Sequence, residues 1–232
     1  MTEVLRVDRR DDRVIATLAR PEVRNAIDQA MIDGFHALCE ELEQWPRTLI
    51  ITGSDGVFAS GADIAQLRER GAEDARRGIN TRAFQRIAAL PMPVIAAVDG
   101  YALGGGAELA YAADLRIGTP RLKIGNPETG LGIIAAAGAT WRLPRIVGDA
   151  RAAELLLTGR ILDAREALDW GIVSSIHEPD DLLPAAHALG DLIAANDPLA
   201  TRHTKTALAA APDAHPDIEL ELQAELFESS EK

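Results

Sequence analysis

The sequence predicts an α/β fold in which short buried strands alternate with amphipathic helices, followed by a helical region. Three observations support this prediction. Apolar runs of strand length recur through the first half of the chain, amphipathic segments of helix length lie between them, and helical patterns continue almost without a break after residue 180. Alternation of this kind is typical of mainly parallel sheets whose strands are connected through helices.

Each early element follows from its own stretch of sequence. Apolar runs predict buried strands at 14–19, 48–53 and 94–98, and the repeated order of strand, helix and strand predicts a further strand at 115–117. Amphipathic patterns predict helices at 28–44, 81–89 and 108–113. The polar stretch GAEDARRGIN, residues 71–80, breaks the pattern and is interpreted as a mobile loop that leads into the next helix.

The last part of the chain is predicted to be almost wholly helical. Leucine and isoleucine recur on its helices in larger number than a core of this size is expected to cover, so some of this surface is predicted to lie between subunits. Packing of the same side chains back onto their own subunit remains the alternative. The helical patterns occupy residues 181–196, 198–210 and 216–230.

Composition restricts the function without identifying it. The chain has 232 residues, of which 47% are hydrophobic, and this suffices for one main domain with a small appendage. Cys39 is the only cysteine, so no disulfide can form within the chain and a cytoplasmic location is expected. The net charge of −12 argues against a nucleic-acid partner, and no apolar run reaches the roughly 20 residues of a membrane span.

A glycine-rich loop is the strongest candidate for a functional site. The stretch AVDGYALGGGAELA, residues 97–110, follows a predicted strand and leads into a helical pattern with Glu108 near its start. Glycines 104, 105 and 106 allow the backbone to approach a ligand closely. The unpaired N–H groups at a helix start can hold an oxygen that becomes negative during a reaction. The loop therefore offers an oxyanion site beside a carboxylate.

A second carboxylate follows 20 residues later, at Glu128 in the segment KIGNPETGLG. Two carboxyl groups near one oxyanion site could perform general acid–base catalysis. Each glutamate also has a structural interpretation, because Glu108 could stabilise a helix N-terminus and Glu128 could be an exposed turn residue. Taken alone, the residues favour neither interpretation over the other.

Other catalytic patterns are absent from the sequence. The five histidines show no metal-ligand spacing, so no metal site is predicted. The glycine triplet lacks the third glycine of a dinucleotide-binding motif, and no GK[ST] sequence follows it. Ser60 has no evident histidine partner and no GxSxG motif is present, which disfavours a serine hydrolase.

Three ordered blocks resemble the crotonase superfamily, also called the enoyl-CoA hydratase/isomerase superfamily. They are FASGADI (58–64), GYALGGGAELA (100–110) and NPETGLG (126–132), and RPEVRNAID (20–28) is similar to the first ligand-binding segment of that family. The resemblance runs from about Val14 to Val173. It implies a ClpP/crotonase-like spiral of strand-strand-helix turns over residues 1–178 and a C-terminal helical trimerisation region over 179–232.

The resemblance also implies a function and a set of site residues. It implies an enoyl-CoA hydratase of lipid metabolism whose substrate is a CoA thioester, with no other cofactor, and which assembles as a trimer or hexamer. An enoyl-CoA isomerase or another CoA-thioester lyase is the alternative within the fold, and a noncatalytic acyl-CoA binding protein is the alternative of another class. The implied catalytic residues are Glu108 and Glu128, and the implied oxyanion donors are the N–H groups of Ala62 and Gly105. The implied substrate-binding residues are Arg24, Ala26, Ser60, Ala62, Asp63, Ile64, Gly104 and Gly105.

Two departures from the family pattern bear on the substrate. Residues 133–143 read IIAAAGATWRL, with alanines and Trp141 in place of the usual proline, glycines and glutamine, so the floor of the pocket is expected to differ in shape. The chain ends at FESSEK, where relatives usually continue. We therefore expect either a truncated chain or an acyl pocket that is built differently. Because coenzyme A is polyanionic and the chain is acidic, the CoA site is expected to be locally basic or to use backbone donors, with Arg24 as the best single candidate.

Overall fold

The computed structural model describes residues 4–229 of the chain. Residues 1–3 of the charged N-terminus and residues 230–232 of the FESSEK terminus lie outside the described residues. The strands are β1 (Leu5–Arg9), β2 (Arg13–Leu18), β3 (Thr48–Gly53), β4 (Val94–Val98), β5 (Tyr101–Leu103), β6 (Leu115–Gly118), β7 (Lys123–Gly125) and β8 (Ile161–Asp163). The first helices are α1 (Gln29–Gln44), α2 (Ile64–Glu69), α3 (Ala72–Arg77), α4 (Ile79–Ala88), α5 (Gly105–Tyr111) and α6 (Ala139–Val147). The later helices are α7 (Asp149–Thr158), α8 (Ala164–Asp169), α9 (Pro179–Ala194), α10 (Pro198–Ala209) and α11 (Asp217–Glu228).

The strands form two sheets. In the larger one the order is β1-β2-β3-β4-β6, with β1 antiparallel to β2 and the remaining pairs parallel. In the smaller one β5 pairs parallel with β7, and β7 pairs antiparallel with β8. The four strands predicted from the sequence are β2, β3, β4 and β6. Strands β1, β5, β7 and β8 are short or carry polar residues, and they were not predicted.

Both faces of the large sheet are covered, which explains why its central strands read as continuous apolar runs. Alternate residues of each strand point to opposite faces. Val14, Leu49 and Val94 belong to the main core, whereas Ile15, Ile50 and Ile95 belong to a second cluster on the other face. Helix α9 covers this second cluster with two buried residues, Leu182 and Ala186.

The late helices extend beyond that cover. Lys205 of α10 is buried and makes an ion pair of 2.7 Å with Asp114, and it donates to the carbonyl of Met92 at 3.0 Å. These contacts attach α10 to the body of the molecule. Helix α11 contributes no buried residue within the described part of the chain, and it packs mainly against α10. No helix among residues 4–229 has the length and apolar character needed to cross a bilayer.

The interpretation of residues 71–80 as a mobile loop is wrong. This stretch contains α3 and the first two residues of α4. The carboxylate of Asp74 accepts from the N–H of Gly71 at 3.0 Å, acidic residues occupy the first turn of α3 and arginines the last, and Gly78 ends the helix in a left-handed conformation (φ +63). Because α3 buries no residue, it carries no apolar stripe that periodicity could reveal.

Helix α5 begins at Gly105, three residues before the predicted start.

Candidate active site

The block FASGADI forms a loop, here called the first loop (residues 58–64), which β5 and Ile27 hold in place. Ala59 donates to the carbonyl of Tyr101 at 2.9 Å and accepts from the N–H of Leu103 at 3.0 Å. The N–H of Ile27 donates to the carbonyl of Gly61 at 2.8 Å, and its carbonyl accepts from the N–H of Asp63 at 2.9 Å. Ala62 lies between these two partners, so its own N–H points away from Ile27. Within the described residues, the N–H of Ala62 donates to no protein acceptor. It is available to a ligand.

The second donor lies at the start of α5. Gly104 has a φ of +52, a conformation that favours glycine, and a Cβ on Gly106 would lie 2.3 Å from the carbonyl oxygen of Ala59. These two glycines allow α5 to begin directly against the first loop. Gly105 is its first residue, and within the described residues its N–H has no protein acceptor. A Cβ on Gly105 would lie 3.5 Å from the nitrogen of Ala62, so the two unpaired amides are neighbours.

Glu108 is buried in the first turn of α5, with only 3% of its surface exposed. Its Oε1 accepts from the N–H groups of Ala137 at 2.7 Å and Ala139 at 3.1 Å, both in the segment IIAAAGATWRL. Burial raises the pKa of Glu108 to about 7; the negative charge of Glu128 also raises it, while the two amides lower it. A carboxyl group of this kind can exist in either protonation state near neutral pH.

Glu128 lies in a short 3-10 helix, Pro127–Leu131, and is 8% exposed. Its Oε1 accepts from Nδ2 of Asn126 at 3.2 Å and would lie 3.1 Å from a Cβ on Gly104, which places the carboxyl group against the start of the oxyanion site. Its Oε2 is buried and has no hydrogen-bond partner among the described residues. Burial also raises the pKa of Glu128. Glu128 is therefore not an exposed turn residue.

The pH dependence of folding tests the environment of Glu108. The pKa of Glu108 rises from 4.5 to about 7 on folding. Its contribution to the free energy of unfolding is therefore fully present below pH 4.5 and is lost as the pH rises through 7. The amide of Glu108→Gln cannot ionise, so over this window we expect the variant to gain up to about 3 kcal/mol in free energy of unfolding relative to wild type. Urea unfolding at acid and alkaline pH measures the difference. An identical pH dependence for both proteins would contradict the assignment.

The other residues implied by the resemblance lie along the first loop and the segment that faces it. The carbonyl of Arg24 accepts from the N–H of Ser60 at 3.0 Å, and Ile64 is 61% exposed at the start of α2. The carboxylate of Asp63 caps α2 and pairs with the guanidinium of Arg20 at 3.1 Å. Ala26 is buried, and its carbonyl accepts from the same guanidinium at 2.6 Å. The Asp63 carboxylate is therefore already used in holding the loop.

Several residues that shape the site were not identified from the sequence. Arg20 joins Asp63 to Asp28, with 3.3 Å to the latter, and thereby fixes the first loop to the N-terminus of α1. Asn126 orients Glu128 and also lies 3.4 Å from the carbonyl of Gly104. The sequence offered one signal, an amide two residues before a glutamate in a turn. The pairing of Arg20 with Asp63 of the first loop joins distant parts of the chain, so no local sequence pattern predicts it.

An apolar cavity of about 380 Å³ adjoins Glu128. It lies between the 3-10 helix and helices α6 and α7, and its walls include Ile134, Ala152 and Leu156. These apolar surroundings are consistent with the raised pKa of the carboxyl group. Within residues 4–229, no group of three or more histidine, cysteine, aspartate or glutamate side chains is arranged to hold a metal ion.

Comparisons with known proteins agree with this architecture. A family model described as enoyl-CoA hydratase/isomerase matches residues 12–232. The short-chain-enoyl-CoA hydratase of Clostridium acetobutylicum is 35% identical over 218 residues, which cover 92% of this chain and 84% of that protein. An enoyl-CoA hydratase structure from Bacillus anthracis has a TM-score of 0.93 at 31% identity and covers 98% of this chain and 92% of that one. A chain from Thermobifida fusca YX, solved in complex with CoA, has a TM-score of 0.88 at 27% identity, covering 98% and 95%.

Proposed function

The chain belongs to the enoyl-CoA hydratase/isomerase family of the crotonase superfamily, and from this premise we propose that it adds water to the double bond of a 2-enoyl-CoA thioester. One structural observation, in addition to the family, supports this reaction. Two unpaired backbone N–H groups, of Ala62 and Gly105, adjoin each other beside two buried carboxyl groups with raised pKa values. Hydration of a conjugated thioester requires these elements.

The proposed mechanism assigns a task to each group. The thioester oxygen accepts hydrogen bonds from the amides of Ala62 and Gly105. One carboxylate removes a proton from water while the water oxygen bonds to the β-carbon, and the electron pair of the double bond moves toward the thioester oxygen. The resulting enolate takes a proton at the α-carbon from the other, protonated carboxyl group. Glu108 and Glu128 form a coupled pair, so their titration belongs to the pair rather than to either residue.

Backbone donors also reconcile an acidic protein with a polyanionic substrate. The net charge of −12 gives the chain no general attraction for coenzyme A. The proposed thioester site uses N–H groups, and the exposed Arg24, whose carbonyl accepts from Ser60 of the first loop, is the candidate cation for the coenzyme A phosphates. The related chain from Thermobifida fusca, solved with CoA, supports this class of ligand.

A hydration assay tests the proposal. Loss of the ultraviolet absorbance of a conjugated enoyl thioester, together with detection of the 3-hydroxyacyl product, would support a hydratase. A shifted double bond without that product would identify an isomerase. Binding of acyl-CoA with neither reaction would leave the noncatalytic binding protein, and the hydratase proposal would be wrong.

We further propose that the chain assembles as a trimer or hexamer through its late helices. Leu192, Leu208 and Leu220 are 68%, 82% and 64% exposed on α9, α10 and α11. Exposed apolar side chains that recur on consecutive helices are typical of surfaces covered by another copy.

Light scattering of the purified protein at micromolar concentration checks the assembly. We expect a mass of three or six chains, and we expect Leu208→Glu and Leu220→Glu to reduce it, because a buried unpaired charge disfavours association. Thr206→Glu, on an exposed position of α10, is the matched control and should leave the mass unchanged. A wild-type mass equal to one chain would exclude the proposed assembly.

A further inference from the structure

Asn80 occupies an unusual position on α4. Residues Ala83, Phe84 and Ile87 form the buried stripe of this helix, and Asn80 continues that stripe by one turn. An apolar residue is expected there by helical periodicity, and asparagine is a poor helix former. The side chain is therefore not explained by the folding of α4.

The amide of Asn80 is poorly satisfied by the protein. Its Oδ1 is buried and has no hydrogen-bond partner among the described residues. Leaving a buried polar atom unpaired costs about 1 to 3 kcal/mol, so an atom of this kind requires an explanation. Neither periodicity nor stability accounts for an amide here.

The other end of the amide faces the two backbone donors. A Cβ on Gly105 would lie 3.4 Å from Nδ2 of Asn80 and 3.5 Å from the nitrogen of Ala62. Three N–H-bearing nitrogens, two from the backbone and one from a side chain, thus surround one small space. Helix α4 packs against α5, which holds Asn80 in register with Gly105.

We propose that Asn80 is a third hydrogen-bond donor of the oxyanion site and contacts the thioester oxygen of the substrate. This inference rests on the proposed function, since it assigns a role in the same reaction. A third donor spreads the negative charge of the enolate over one more N–H group. Because a side-chain amide is less rigid than a backbone amide, we expect its loss to reduce kcat about tenfold to a hundredfold, at or below the range typical of a preorganised donor.

Three substitutions separate donation from packing. Asn80→Ala removes the amide, Asn80→Leu replaces it with an apolar side chain of similar size, and Asn80→Asp keeps the shape but replaces the N–H donor. We expect kcat for 2-enoyl-CoA hydration to fall in all three with little change in KM, and to fall most in Asn80→Asp at a pH where the new carboxylate is ionised. Gln85→Ala, at an exposed position of the same helix, is the control and should behave as wild type.

A vibrational measurement distinguishes hydrogen bonding to the substrate from a purely structural role of Asn80. The C=O stretching frequency of a bound, saturated acyl-CoA labelled with ¹³C at the thioester carbonyl falls as hydrogen bonds to that oxygen strengthen. We expect a higher frequency in Asn80→Ala and Asn80→Leu than in wild type. Wild-type frequency and kcat in folded variants, verified by urea unfolding, would overturn the proposal. Failure of the proposed function is distinguishable, because wild-type protein would then bind the labelled thioester without hydrating any enoyl-CoA.

Discussion

Glu108→Gln and Glu128→Gln are each expected to reduce kcat for hydration by about 10² to 10⁴ while acyl-CoA binding is retained. Glutamine keeps the size of the side chain and its carbonyl oxygen, so it can still accept from the amides of Ala137 and Ala139 at position 108 and from Asn126 at position 128. It cannot remove a proton from water or deliver one to the α-carbon. Steady-state kinetics with an enoyl-CoA measure the loss, and calorimetry with a saturated acyl-CoA measures binding.

The control for this pair is Glu40→Gln, an exposed glutamate on α1, which should retain wild-type kinetics. Either active-site variant with turnover within severalfold of wild type would exclude that glutamate from the proton chemistry. Loss of acyl-CoA binding in both variants would indicate instead that the carboxyl groups hold the substrate.

The sequence predicted the central part of the fold because each buried strand has a local signature. Strands β2, β3 and β4 contain apolar runs, which follow directly from burial on both faces of a sheet, whereas β6 contains Arg116 and was predicted from its place after a helix. Helix α3 has no such signature. It is formed from good helix formers with complementary end charges, without an apolar face, and its polar composition resembles that of a loop.

Asn80 was not identified from the sequence for the same reason. Its place on the buried stripe of α4 is apparent only when that helix begins at Ile79, whereas residues 71–80 were predicted to form a loop. Sequence periodicity describes side chains on one element at a time. It gives no information on whether a side chain of α4 meets the first residue of α5.

The two glutamates of the candidate site have local sequence signals, whereas most of the groups around them do not. Glu108 and Glu128 stand in short motifs with glycine neighbours, whereas the partners of Glu108 are backbone amides 29 and 31 residues away. Backbone N–H groups are supplied by nearly any residue, so the alanines at positions 137 and 139 provide the same donors that glycines would. The departure of the segment IIAAAGATWRL from the family pattern thus leaves these two hydrogen bonds intact, and its effect on the shape of the pocket stays a prediction.

Gly105→Pro is expected to reduce kcat by about 10² to 10³, because it deletes one N–H donor of the oxyanion site. Proline is well tolerated at the first position of a helix, where the N–H has no intrahelical partner, and Gly105 is the first residue of α5. The preceding Gly104, at φ +52 and ψ −122, lies outside the right-handed helical region that proline disfavours in its neighbour. The fold should therefore persist while the donor is lost.

Gly105→Ala is the matched control, because alanine adds a Cβ and keeps the N–H. That Cβ would lie 3.4 Å from Nδ2 of Asn80 and 3.5 Å from the nitrogen of Ala62, ordinary contact distances that require no movement of the backbone. The loss seen in Gly105→Ala measures crowding of the thioester, and the additional loss in Gly105→Pro measures the missing hydrogen bond. Stopped-flow kinetics on both variants, with unfolding curves to verify the fold, give the two values. Equal turnover in the alanine and proline variants would show that the N–H of Gly105 does not hold the oxygen, and the oxyanion site would then have to be formed by Ala62 and other donors.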